Sequence, residues 1–388
     1  MKCLRRLSLL LLPLTLAGCS GRFSSFDAGV AGDGGLDAVL ERVRTEHGLP
    51  ALGAVLIKDN EIVEIGVVGV RAAGSTEPVT TGDRWHLGSI AKSMTATVAA
   101  VLVEQGLIEW STTVGEVLSD LAESTRPEFA DVRLEELLSQ TAGLPTNERK
   151  VISFSTFRSK TEPTRADRRQ WAAEILALPP ESPRGVHCYG NPNYIVVGAM
   201  LEEVSGELWE DLIQRILFEP LGMTSTGFGA PGTVGEIPDE PRGHTRRNGA
   251  WVAYQPRATA DNAPAVGPAG TVHSTLADFA RYMAAHLAGA RGAGGLVTAD
   301  TFAKLHTPWP GTNYALGWSV GEQSWAGGVS LQHFGTNGVW CANMWIAPER
   351  GFAMLAVTNA DDGAGRDCTS DVIDALIDRF DSAEERGG

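Results

Sequence analysis

The sequence predicts an α/β fold. One antiparallel sheet is assembled from both ends of the chain, helices flank it, and a mainly helical lobe is inserted between. Three observations lead there. Two β-rich runs lie near the start, at 52–58 and 62–70, around Asp59-Asn60. Four more lie near the end, at 314–320, 329–333, 339–346 and 352–359. Between them, from about 108 to 267, the texture is helical with long polar connections. The chain has 388 residues and 43% hydrophobic content, enough for one large domain or two interleaved ones with a substantial core.

In chain order, the first element is a targeting segment. Lys2, Arg5 and Arg6 precede an apolar run over 7–16, too short for a stable membrane span. It ends in Leu16-Ala17-Gly18-Cys19, which reads as a bacterial lipoprotein signal over 1–18, cleaved before Cys19, whose thiol then carries lipid. The expected location is the cell envelope, lipid-anchored. Residues 19–35 are rich in Ser, Gly and Asp and read as a tether. A helix follows, with Leu36, Val39, Leu40 and Val43 on one face, stopped by Gly48 and Pro50. The runs 52–58 and 62–70 form a hairpin.

Next comes Trp85-His86-Leu87-Gly88-Ser89-Ile90-Ala91-Lys92-Ser93-Met94-Thr95, running into an apolar stretch without Pro or Gly, the start of a buried helix that ends near Gly106. Further helices are expected over 193–204 and 208–217, the second terminated by Pro220, and over 276–286. The last two strands join at Pro348-Glu349-Arg350-Gly351. A final helix carries Val372, Ile373, Leu376, Ile377 and Phe380 on one face. One domain is expected over 36–385, with a sheet lobe of about 36–90 and 270–385 and a helical lobe of about 91–269.

Charge and cysteine content narrow the function. The formal charge is −15, and removal of the three cations in 1–18 leaves −18, which argues against a nucleic-acid partner. Apart from Cys3 and Cys19, the cysteines are Cys188, Cys341 and Cys368, which permit one internal disulfide at most. There is no Cys-x-x-Cys, His-Glu-x-x-His or His-x-His, and nothing signals a metal or other cofactor.

Ser89 and Lys92 are three residues apart and share one helix face. A serine hydroxyl is a poor nucleophile at its free pKa, and a desolvated lysine beside it can lose its proton and act as base. Three further stretches add weight: Tyr189-Gly190-Asn191-Pro192-Asn193-Tyr194, His333-Phe334-Gly335-Thr336-Asn337-Gly338, and Leu138-Ser139-Gln140-Thr141-Ala142-Gly143-Leu144-Pro145. With Phe218-Glu219-Pro220-Leu221-Gly222-Met223, Leu316-Gly317-Trp318 and Val357-Thr358-Asn359, the chain over about 36–380 resembles the serine β-lactamase-related hydrolases, in their class C-like branch. That branch includes class C β-lactamases, D-alanyl-D-alanine carboxypeptidases, D-aminopeptidases and carboxylesterases.

The resemblance implies a β-lactamase/transpeptidase-like fold and a role for each motif residue. Ser89 would be the nucleophile that forms an acyl-enzyme. Lys92 and Tyr189 would share the base work, Lys92 either lowering the tyrosine pKa or taking the proton itself. Asn191 would bind substrate and orient Lys92. The backbone N–H groups of Ser89 and Thr336 would form an oxyanion hole. His333, Gly335 and Thr336 would line the substrate site. Taken singly, Asn191 also fits a helix N-cap and Tyr189 a packed aromatic. His86, three residues before Ser89, is not expected to take part in catalysis.

Where β-lactamases and transpeptidases carry Lys-Thr-Gly, this chain reads His333-Phe334-Gly335. A neutral imidazole is a weaker partner for a carboxylate. The expected activity is therefore hydrolysis of an ester or a small amide or D-amino-acid peptide. The alternatives are a D-alanyl-D-alanine carboxypeptidase, a weak β-lactamase, and a non-catalytic peptidoglycan- or peptide-binding lipoprotein.

Overall fold

The computed structural model describes residues 28–151, 160 and 162–387. The signal and lipidation reading at 1–19 lies outside them. The helix α1 (Leu36–His47) buries Leu36, Val39, Leu40 and Val43, and Gly48 closes it at φ 62°. The strands β1 (Ala51–Lys58) and β2 (Glu61–Gly69) form the expected hairpin, with Asp59 at φ 52° in its turn. After β3 (Arg84–His86) comes the helix α2 (Ala91–Glu104), which is buried on nearly every side, as its continuous apolar sequence requires.

The middle of the chain supplies α3 (Leu134–Leu138), α4 (Arg165–Ala177), α5 (Asn191–Ser205) and α6 (Trp209–Ile213). It also carries the short strands β4 (Gly227–Phe228), β5 (His244–Arg247) and β6 (Ala250–Ala253). The last part contains β7 (Val272–Thr275), α7 (Leu276–Ala290), α8 (Ala299–His306), β8 (Ser319–Gln323), β9 (Gly328–Thr336), β10 (Cys341–Ala347), β11 (Phe352–Thr358) and α9 (Ala364–Gly387). Among the described residues, no helix is long and apolar enough to cross a membrane.

The main sheet has six strands in the order β2-β1-β11-β10-β9-β8, every neighbouring pair antiparallel. Both ends of the chain therefore build it. The central strands β1 and β11 are buried on both faces and read as unbroken apolar runs. Leu52, Ala54 and Leu56 pack with Leu40, Val43, Val372, Leu376 and Phe380, from α1 and α9. Val55 and Ile57 face the opposite layer, with Phe279, Met283 and Leu287 of α7 and the α2 core. A second sheet, β3-β7-β4, lies beside the turn that precedes α2.

Four expectations change. Residues 314–318 are not a strand. Gly317 adopts φ 84°, and a Cβ there would stand 2.8 Å from the Ser93 Cα, so this segment is a loop pressed onto α2. The helix expected over 208–217 is regular only over Trp209–Ile213 and then widens into a π-turn over Gln214–Phe218. Pro220 does not terminate it. It sits in the first turn of Glu219–Leu221, where its missing N–H has no acceptor to lose, and Gly222 at φ 66° makes the stop. The helix placed at 193–204 starts at Asn191.

The fourth change concerns the tether. Residues 28–35 are folded onto the domain. The guanidinium of Arg379, buried in α9, donates to the carbonyls of Ala28 and Val30, to Asp33 and to Glu64 of β2. A buried cation with this many acceptors fixes the chain that supplies them.

Candidate active site

Ser89 lies in the tight turn Gly88–Ile90 that leads directly into α2. Two glycines press this turn against β9. Gly88 adopts φ 51°, and a Cβ there would stand 2.4 Å from the Thr336 nitrogen. A Cβ on Gly335 would stand 2.0 Å from the Leu87 carbonyl oxygen and 3.0 Å from the Ser89 nitrogen. Only glycine fits at either position, and the result brings the backbone N–H groups of Ser89 and Thr336 side by side. The Thr336 hydroxyl is occupied elsewhere: it donates to Asp361 and accepts from the Gly338 N–H at 2.8 Å.

Lys92 is fully buried in the first turn of α2. Its Nζ donates to Ser89 Oγ at 3.0 Å, to Asn191 Oδ1 at 2.8 Å and to the Ala269 carbonyl at 2.9 Å. Among the described residues, no carboxylate touches it. Burial penalises the charged form and brings its pKa down to about 7, against the opposing field of Glu148. A proton is therefore exchangeable at neutral pH, one hydrogen bond from the Ser89 oxygen.

Asn191 is not a cap. Gly190 holds the N-cap position of α5, Pro192 follows in the first turn, and the Asn191 amide oxygen faces Lys92. Tyr189 lies just before, with Lys92 Nζ 4.9 Å from its ring centroid. Its ring stands edge-on to Tyr314 at 6.0 Å and 6.3 Å from His333, and 40% of its surface is exposed. The expectation that Lys92 lowers the tyrosine pKa is not met. Desolvation moves the Tyr189 phenol above its ordinary value, against the Ser89 hydroxyl beside it. The group brought into the neutral range is Lys92.

His333 is buried on β9. Its Nδ1 bonds the Phe334 carbonyl at 2.8 Å and its Nε2 the Tyr314 hydroxyl at 3.2 Å. Burial, the Lys92 charge adding to it, holds its pKa down at about 3. The imidazole is neutral, with both nitrogens engaged.

The segment around Gln140 positions these groups. Gln140 adopts φ 63°, and its Oε1 accepts from the Gly190 N–H at 3.1 Å and from Asn193 Nδ2 at 2.7 Å. Its carbonyl accepts from the Cys188 N–H at 2.8 Å. A Cβ on Gly190 would stand 2.7 Å from the Thr146 Cα, so the two segments cross in contact. Leu138–Pro145 thus fixes the loop that carries Tyr189 and Asn191.

His86 also has a positioning geometry. Its Nδ1 accepts from the Gly88 N–H at 3.0 Å, which leaves Nε2–H to donate to Asp261 Oδ2 at 2.9 Å. Asp261 Oδ1 in turn accepts from Asn337 Nδ2 at 2.9 Å. This buried bridge links the residue before Ser89 to the residue after Thr336. Both His86 nitrogens are engaged, so it has no proton-transfer geometry towards Ser89.

Every sequence-expected site residue within the described chain meets here: Ser89, Lys92, Tyr189, Asn191, His333, Gly335 and Thr336. Sequence reasoning missed Ala269, Tyr314, Asp261 and Asn337. Asn337 lies inside a motif that was singled out, whereas Ala269 acts through its carbonyl and leaves no side-chain signal. Cys188, Cys341 and Cys368 are free thiols, the last two buried. No cluster of metal-ligating side chains occurs among the described residues.

The Beta-lactamase family model matches residues 36–378. Penicillin-binding protein 4 of Amycolatopsis lactamdurans is 25% identical over 341 residues, covering 82% of this chain and 83% of that protein. Two solved structures share the fold. The octameric penicillin-binding protein homologue from Pyrococcus abyssi superposes with a TM-score of 0.71 at 21% identity, covering 89% of this chain and 78% of its own. The D-amino acid amidase of Ochrobactrum anthropi, solved with L-phenylalanine, gives a TM-score of 0.71 at 18% identity, covering 91% of this chain and 99% of its own.

Proposed function

The chain belongs to the Beta-lactamase family of serine hydrolases, and from that premise we propose that it cleaves an ester or a small amide, of the D-amino-acid amide or peptide class, through an acyl-enzyme on Ser89. The observation that carries this reading is the contact between Ser89 Oγ and a buried Lys92 whose pKa is about 7. Neutral Lys92 takes the Ser89 proton as Oγ attacks the substrate carbonyl. Negative charge grows on the carbonyl oxygen, where the N–H groups of Ser89 and Thr336 receive it. The tetrahedral intermediate collapses, the C–N or C–O bond breaks, and the proton on Lys92 passes to the leaving amine or alcohol. Water then attacks the Ser89 ester and gives a proton to Lys92; the second tetrahedral intermediate collapses, the bond to Ser89 Oγ breaks, Lys92 returns the proton to Oγ, and the acid is released. Asn191 and Ala269 hold Nζ in line with Ser89 throughout. Tyr189 covers the lysine and acts as a donor, since desolvation of its hydroxyl holds the phenol pKa above its ordinary value.

His333 supports the ranking of substrates. A neutral imidazole with both nitrogens engaged supplies no cation for a substrate carboxylate. Carboxypeptidase and β-lactamase activities, whose substrates present a carboxylate, therefore rank below ester and amide hydrolysis. The D-amino acid amidase that shares this fold supports the amide class.

The test is turnover of short-chain p-nitrophenyl esters and D-amino-acid amides by the wild type and Ser89→Ala. Ser89-dependent turnover, with an acyl adduct on Ser89 by intact mass, is expected. Equal rates in both proteins would refute the reading. A cephalosporin hydrolysed faster than every ester and amide would reverse the ranking. If neither protein turns over any substrate yet both bind D-amino-acid peptides, the fold serves as a binding module. Export with lipid on Cys19 is proposed on the sequence pattern, and loss of palmitate labelling in Cys19→Ser would support it.

A further inference from the structure

The end of β9 is fastened on two flanks. On the inner flank Gly335 and Thr336 press against the turn at Gly88, and Asn337 is tied through Asp261 to His86. On the outer flank lies the connection between β11 and α9. Asp361 in this connection accepts the Thr336 hydroxyl, and its Oδ1 accepts from the Gly363 N–H at 3.1 Å. The Thr336 oxygen in turn accepts from the Gly338 N–H at 2.8 Å. An N–H only donates and a carboxylate accepts, so the hydroxyl between them has one orientation.

The connection that carries Asp361 is stiff. The Asp361 N–H donates to the His244 carbonyl at 3.2 Å. His244 is fully buried, its Nδ1 bonds the Asn359 carbonyl at 2.7 Å, and its Nε2 accepts from the Ala73 N–H at 2.9 Å. A Cβ on Gly365 would stand 2.5 Å from the Ala360 carbonyl oxygen and 2.8 Å from Cys341 Sγ. Cys341 is the β10 partner of Thr336, so α9 begins hard against the strand pair. The turn beyond β9 is looser, with Gly338 exposed at φ 90°. Thr336 is the last residue of β9, where a strand frays unless it is tied.

We propose that Asp361 is a positioning residue for the oxyanion hole: by holding the Thr336 hydroxyl it fixes the direction of the Thr336 N–H. This rests on the acyl-enzyme reading above, in which that N–H receives the carbonyl charge. Every residue except proline supplies an N–H, so what threonine adds at 336 is the hydroxyl, and the hydroxyl is given to Asp361. By charge alone, a carboxylate near the hole disfavours an oxyanion. Positioning and charge thus predict opposite signs: without Asp361 the first makes the enzyme slower, the second faster. The N–H meets full negative charge only in the tetrahedral states, so the effect belongs to kcat rather than KM.

The experiment measures p-nitrophenyl acetate turnover in the wild type, Thr336→Val, Asp361→Ala, their double variant and Asp361→Asn, with Ser89→Ala as control. Thr336→Val and Asp361→Asn are nearly isosteric, and urea unfolding checks that each variant is folded. Inhibition by phenylboronic acid, which forms a tetrahedral adduct on a serine oxygen, reads the hole without turnover. Thr336→Val and Asp361→Ala should each lower kcat about tenfold, less than the roughly 10²–10³-fold for losing a donor outright. KM should hold, and Ki for the boronic acid should rise by a similar factor. The double variant should be no slower than either single one, since both remove the same contact. Asp361→Asn, which keeps an acceptor, should lose less than Asp361→Ala. Turnover at or above wild type in Thr336→Val or Asp361→Ala, equal losses in Asp361→Asn and Asp361→Ala, losses that multiply in the double variant, or a loss confined to KM would each overturn this inference while leaving Ser89-dependent hydrolysis in place. Absence of any Ser89-dependent turnover would remove the hydrolase reading and this inference with it.

Discussion

Lys92 and Arg168 are both fully buried cations, and both grip the segment between Pro264 and Gly270. Arg168 of α4 donates to the carbonyls of Ala265 at 3.2 Å and Pro264 at 3.3 Å, and Lys92 to that of Ala269 at 2.9 Å. Their surroundings differ in one respect. Arg168 lies between two carboxylates, Glu202 of α5 and Glu210 of α6, the latter at 2.7 Å. Burial works to lower its pKa, but the charges of Glu210 and Glu202 outweigh this and the direction is upward. Lys92 meets only neutral acceptors, and burial prevails. Counter-charge turns a buried cation into a fixed strut. Its absence leaves a proton that can be exchanged.

Substitutions that exchange these two conditions test the comparison. The largest effect is expected for Lys92→Arg, which keeps a cation but cannot lose the proton. It should lower kcat by about 10²–10⁴-fold, the range of a general base. Near-normal turnover would show that charge alone suffices. Arg168→Met should leave Glu202 and Glu210 buried without a counter-charge and cost roughly 3–5 kcal/mol in urea unfolding. Replacing Arg168, Glu202 and Glu210 together with apolar residues should recover most of that loss. If the single and triple variants are equally unstable, the strut description is wrong.

A smaller effect is expected at the His86–Asp261–Asn337 bridge. Removing one oxyanion donor outright costs roughly 10²–10³-fold, so loosening the frame that holds two should cost about tenfold in kcat. Asp261→Asn should show this with KM little changed. A fall confined to KM would assign the bridge to substrate binding instead. The smallest change is one of pH. Because the base must be neutral, kcat/KM should rise tenfold per unit up to about pH 7 and level off above it. Glu148→Gln removes the one charge that raises the Lys92 pKa, so the rising limb should move to lower pH.

The same contrast explains what could be read from the sequence. Ser89, Lys92, Tyr189 and Asn191 lie in short local motifs, and the chemistry of each side chain announces itself. The central sheet strands are legible because β1 up to Ile57 and β11 up to Val357 are almost unbroken apolar runs. The strands β3 and β7 are three and four residues long, too short for any period to register. The loop at 314–318 has strand-like composition, and only the contact of Gly317 with α2 decides its shape. Ala269 contributes a carbonyl, which no residue type signals. The sequence leaves open whether Lys92 lowers the Tyr189 pKa or takes the proton itself, because the choice depends on desolvation, which raises the phenol and lowers the lysine. What stayed hidden were terms set by packing.

The measurement closest to the central claim is the titration of Lys92 itself, followed by NMR of ¹³C-labelled lysine side chains and assigned by the signal lost in Lys92→Arg. A midpoint near pH 7 is expected. A Lys92 that stays protonated past pH 10 would contradict it, and the proton acceptor for Ser89 would then have to be sought elsewhere in the site.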